Sequence, residues 1–81
     1  MIMAGPDISS GICETPVSWL DVSATITDHF GTVLPCGGSG LPLRQVMAAP
    51  HDSDRVIFSE YHAAGAVSGA FMIRKGSWKY I

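Results

Sequence analysis

The segment from Ser18 to Gly31 limits what this chain can become more than any other. Trp19, Val22, Ile26 and Phe30 recur three or four residues apart, the spacing that lines one face of an α-helix. Ser18 stands where an N-cap belongs, and Asp21 follows three residues later in the manner of a capping box, its charge suited to the positive end of the helix. Gly31 sits where the left-handed residue after a helix is usually found. The spacing therefore predicts a helix over 19–30. A helix with one apolar stripe needs a second layer to cover it, and in a piece cut from a larger protein that face is expected to lie open.

Met1-Ile-Met-Ala4 is a short apolar run stopped by Gly5-Pro6-Asp7, the pattern of a buried strand end before a turn. Ser9 to Thr15 reads as loop, and Pro16 biases the residue before it toward extended backbone. Gly37-Gly38-Ser39-Gly40 reads as a flexible loop; it lacks the Lys-Ser/Thr ending of a phosphate loop. Leu43 to Ala49 suits a short helix ended by Pro50. After the polar link from His51 to Arg55, Val56 to Tyr61 is strand-like. Ala70 to Arg74 and Trp78 to Ile81, joined through Lys75-Gly76-Ser77, predict an antiparallel hairpin with Trp78 and Tyr80 on one face and Lys79 on the other. A chain that starts in a core strand and stops on an apolar strand residue reads as cut from a larger protein at both ends.

With 47% apolar and 15% charged residues the composition is globular, yet 81 residues bury only roughly 60% of the surface exposed when unfolded. Chains this small commonly carry a staple. Cys13 and Cys36 leave two readings, one disulfide or two packed thiols, and the missing leader pattern favours the thiols. No zinc-type spacing links them to His29, His51 and His62. A net charge of −2 with five basic residues disfavours nucleic acid as a partner, and no apolar run approaches the roughly 20 residues that span a bilayer, so no membrane partner is expected.

Three stretches, in order, resemble the C-terminal third of sulfatases of the alkaline phosphatase superfamily. Met1-Ile-Met-Ala-Gly-Pro6 resembles the central-sheet strand ending in Gly-Pro. Thr15-Pro-Val-Ser-Trp-Leu-Asp-Val-Ser-Ala-Thr25 is similar to the Thr-Pro-Val-Ser-x-x-Asp-x-x-Pro-Thr segment that opens the following helix, with Ala24 in the place of Pro. Ile57-Phe-Ser-Glu-Tyr-His62, Gly69-Ala-Phe-Met-Ile-Arg74 and Gly76-Ser-Trp-Lys-Tyr80 are similar to the C-terminal subdomain of choline-sulfatase-like and arylsulfatase-like members. Between them, Gly37 to Leu41 keeps Gly38 and Leu41 of the Asp-Gly-x-Ser-Leu pattern but not its Asp or Ser.

The resemblance implies an α+β fragment of an α/β sulfatase fold: one core strand, a packing helix and a small antiparallel C-terminal β subdomain. Residues 1–49 would end the α/β core, and 50–81 would form part of the subdomain. It implies a parent enzyme that hydrolyses sulfate esters with formylglycine and a divalent metal, calcium or magnesium. This chain is expected to supply neither, since Cys13 and Cys36 lack the following Pro/Ala and Arg of the formylglycine motif and no metal carboxylates of the family pattern are matched. Its partner would be the remainder of the sulfatase chain. Glu60, His62 and Arg74 are the candidates for the rim of the substrate pocket, against a plainer reading of each as a strand residue that pairs with a neighbour or covers a sheet face. The rival function is a non-catalytic interaction module that self-associates or pairs through exposed strands.

Overall fold

The computed structural model describes residues 1–33 and 37–81 and is an α+β arrangement of two helices followed by a three-stranded sheet. Cys36 lies outside the described residues, and with it the question of a bridge to Cys13.

Helix α1 runs Trp19–His29, with Ser18 as its extended N-cap. The reciprocal half of the capping box is formed: Ser18 N donates to Asp21 Oδ2 at 2.7 Å. At the other end Gly31 takes φ 63°, Gly31 N donates to Asp28 O at 3.2 Å and Thr32 N to Thr27 O at 2.9 Å. Those two bonds are the Schellman pattern, so the left-handed glycine at 31 does what the sequence asks of it. Phe30 is the C-cap rather than a helical residue.

Helix α2, Leu43–Met47, packs against α1 and brings Leu43 and Val46 into the small apolar core. Strands β1 (Val56–Tyr61), β2 (Ala70–Lys75) and β3 (Trp78–Tyr80) form an antiparallel sheet in that order. Ile57 faces Arg74, Phe58 faces Ile73 and Glu60 faces Phe71 across β1 and β2, and Ile73 faces Tyr80 across β2 and β3. The two-residue turn starts at Gly76, whose φ of 52° suits the first position of a hairpin turn.

One expectation is corrected. Met1 to Ala4 is not a strand; it is irregular chain, exposed except at the half-buried Met3, leading into a turn closed by Ile8 N to Gly5 O at 3.3 Å. An apolar run becomes a strand only where a neighbour completes its ladder, and no strand lies beside it among the described residues. The stripe of Trp19, Ile26 and Phe30 is exposed, and α1 docks instead through Asp21 and Thr25. Leu43 N donates to Thr25 Oγ1 at 2.8 Å, so the face that binds within this chain is the polar one.

The accessible surface is 6583 Å², where a compact monomer of this mass would show about 4,700 Å². The radius of gyration, 14.5 Å, likewise exceeds the ~12 Å of a compact chain of this length. Much apolar surface therefore stays uncovered.

Candidate functional site

The groove beside the sheet is built on one buried ion pair. Asp21 is 0% exposed and accepts hydrogen bonds from Ser18 N (2.7 Å), Leu41 N (2.9 Å), Arg55 Nη1 (3.0 Å) and Arg55 Nη2 (2.7 Å). The same Arg55 Nη1 also donates to Pro16 O. Burial by itself would raise the Asp21 pKa, but the hydrogen bond from Arg55 and the backbone donors of Ser18 and Leu41 outweigh it and hold the carboxyl at about 2. With both oxygens filled, Asp21 has no capacity left for a substrate, so the pair fixes backbone rather than reacting. It ties the start of α1, the end of the glycine-rich loop and the approach to β1 to one point.

A second tie lies alongside. Thr15 Oγ1 donates to Ala49 O and accepts from Asp52 N at 2.9 Å, while Glu14 N and Thr15 N both donate to Pro50 O, at 2.8 and 3.2 Å. Asp52 Oδ1 then accepts from Asp54 N and Arg55 N, a local turn that aims Arg55 at Asp21. Asp54 pairs with Lys75 at 3.0 Å, and Gly76 sits close against Ser53, where an added Cβ would stand 3.1 Å from Ser53 O.

These ties enclose an open cavity of about 610 Å³ between the loop of Cys13 and Glu14, the link of His51 and Ser53, and the sheet residues Ile57, Arg74 and Ser77. Arg74 donates through Nε to Gly76 O at 3.2 Å, and its terminal nitrogens have no hydrogen bond among the described residues. His51 Nδ1 lies 3.0 Å from Glu14 Oε2, both well exposed. The groove thus offers one fixed guanidinium, an imidazole already held by a carboxylate, and hydroxyls.

Of the three residues singled out from sequence, Glu60 and His62 meet and Arg74 stands apart. Arg74 shares the groove face with Ile57, its cross-strand partner. Glu60 lies on the opposite face, paired with Phe71, and its Oε2 is 3.5 Å from His62 Nε2. The His62 ring stands edge-on to Phe71 at 5.6 Å. Sequence reading missed the Asp21–Arg55 pair: Asp21 was legible as a capping residue, but nothing local ties it to an arginine 34 positions away.

Among curated proteins, the whole chain matches arylsulfatase K of Rattus norvegicus at 36% identity and that of Danio rerio at 34%, covering 16% and 17% of those proteins. It matches the choline-sulfatase of Rhizobium meliloti at 32% identity over the whole chain and 16% of that enzyme. The chain is a stretch of sulfatase sequence. It corresponds to the C-terminal region of these sulfatases and spans about one-sixth of their length. No family model and no solved structure matches it. Sulfatase chemistry rests on formylglycine and a metal, and the residues described here fit neither group. Cys13 is followed by Glu14-Thr15-Pro16 rather than the modification motif, and no cluster of three or more His, Cys, Asp or Glu able to hold a metal occurs among the described residues.

Proposed function

We propose that this chain forms a C-terminal, non-nucleophilic part of a metal-dependent sulfuric ester hydrolase. Residues 1–49 complete an α/β core of the sulfatase fold, and 50–81 form part of its antiparallel subdomain. The observation that carries this reading is the similarity, over the full chain, to proteins named as sulfatases. In such an enzyme a divalent metal, calcium or magnesium, would supply charge stabilisation and formylglycine would supply the nucleophile, and the residues described here would hold neither. Both groups belong to other parts of the enzyme in this reading.

What this chain contributes is position and charge. The Asp21–Arg55 pair and the Thr15 bonds hold the groove walls. Arg74 then presents a planar set of donors suited to an oxyanion such as a sulfate ester. Of the three rim candidates Arg74 has the geometry that suits the role best. Glu60 and His62 would serve a pocket wall on the other side of the sheet.

Two measurements on the purified chain test this. A chromogenic aryl sulfate, with calcium or magnesium added, is expected to turn over only at the buffer rate; activity that persists through stringent purification would refute the non-nucleophilic reading. Inorganic sulfate, titrated while the Arg74 Nε–H resonance is followed by NMR, is expected to shift that signal in the native chain and to leave the groove amides of Arg74→Ala unmoved. A native signal that ignores sulfate would remove Arg74 from the site.

A further inference from the structure

Two walls of the Arg74 groove come from separate parts of the chain, the β2–β3 hairpin and the link from His51 to Ser53, and they meet at the hairpin turn. Gly76 stands so close to the link that a Cβ on it would lie 3.1 Å from Ser53 O and 3.4 Å from Ser53 Cβ. Beside it Lys75 Nζ reaches Asp54 Oδ1 at 3.0 Å, an exposed tie that water largely screens. The link is the firmer of the two walls. Asp52 Oδ1 accepts from Asp54 N and Arg55 N, and Arg55 in turn is bound to the buried Asp21. A side chain added at 76 would therefore displace the hairpin turn before it displaced the link.

The same glycine also holds the guanidinium. Arg74 Nε donates to Gly76 O at 3.2 Å, which leaves the two terminal nitrogens for a ligand in the groove. The turn that brings this carbonyl back to Arg74 begins with φ 52° at Gly76, left-handed backbone that a residue with a Cβ adopts at a cost. Close approach to Ser53 and left-handed backbone are separate demands, and glycine meets both. Gly65 carries the second demand alone: its φ is 84°, and nothing lies within 4 Å of where its Cβ would stand. It lies between β1 and β2 and does not line the groove.

We propose that Gly76 is the positioning residue of this groove: through its carbonyl and its contact with Ser53 it fixes the Arg74 guanidinium relative to the opposite wall. This rests on the reading of Arg74 as the group that holds a sulfate oxyanion, so one readout is chosen that needs no anion. In Gly76→Ala the Arg74 Nε–H is expected to exchange with water at least about fivefold faster than in the native chain, while the amides of the β1–β2 ladder exchange as before. Gly76→Asn, which tolerates left-handed backbone better than alanine does, should show the same acceleration because its Cβ still meets Ser53. Gly65→Ala, with comparable backbone strain and no such contact, should leave the Arg74 signal unchanged. Titration with inorganic sulfate, followed at the groove amides, should show binding weakened at least about fivefold in both Gly76 variants. Native exchange at Arg74 in either Gly76 variant would overturn the proposal. So would acceleration spread equally over the ladder amides, which marks loss of fold instead of loss of position, or an equal effect from Gly65→Ala. A native chain that ignores sulfate would sink the anion-site reading alone, and Nε–H exchange would still decide whether Gly76 positions Arg74.

Discussion

Replacing Arg55 by Leu should be the most damaging single change to the interior. It removes the Nη1 and Nη2 bonds to Asp21, at 3.0 and 2.7 Å, and the bond to Pro16 O, while leaving a carboxylate with no exposure. Breaking a buried pair from one side costs about 3–5 kcal/mol, because the remaining charge is desolvated without compensation. A domain of this size has a total stability of only about 4–12 kcal/mol. The partner change, Asp21→Asn, keeps the shape and removes the charge, so it separates electrostatics from packing. For Asp21 the folded pKa of about 2 lies below the ordinary 3.8. Its contribution is therefore fully present above about pH 4 and is lost as the pH falls through about 2. The pair of values corresponds to about 2 kcal/mol at neutral pH. Urea unfolding followed by tryptophan fluorescence, at one fixed chain concentration so that association does not alter the comparison, measures both effects. The native chain should lose about 2 kcal/mol between pH 4 and pH 2, Asp21→Asn should lack that acid-sensitive part, and Arg55→Leu should be poorly folded at neutral pH. An Arg55→Leu chain within about 0.5 kcal/mol of native, or an Asp21→Asn chain with the native acid slope, would refute the assignment of this pair as the central tie.

Two further changes probe the walls around it. Thr15→Val deletes the hydroxyl that donates to Ala49 O and accepts from Asp52 N, and is expected to cost about 1–3 kcal/mol, with faster hydrogen exchange at the Asp52 amide; unchanged exchange there would detach Thr15 from the link. Gly40→Ala would drive a Cβ into the Leu20 carbonyl in the first turn of α1, where backbone cannot yield, and is expected to destabilise by at least the ~1–3 kcal/mol of ordinary overpacking in a thermal melt.

The local elements of this protein were written into its sequence. Ser18, Asp21 and Gly31 determine where α1 begins and ends, because capping satisfies backbone groups within a few residues and needs no distant partner. Gly76 sets the hairpin turn for the same reason, and the two-residue period places Trp78 and Tyr80 together with Lys79 opposite. Likeness to sulfatases was equally legible, since it resides in the order of residues and not in their contacts. Tertiary structure decided which faces meet. The apolar stripe of α1 marked a surface that this chain does not cover, whereas the docking face is polar, fixed by Asp21 and Thr25 accepting from Leu41 and Leu43. It also separated Arg74 from Glu60 and His62, because strand alternation sends them to opposite sides of the sheet. The junction with Arg55 could be read from no local pattern: a carboxylate and a guanidinium far apart in sequence become one unit only when folding brings them together and removes water from around them.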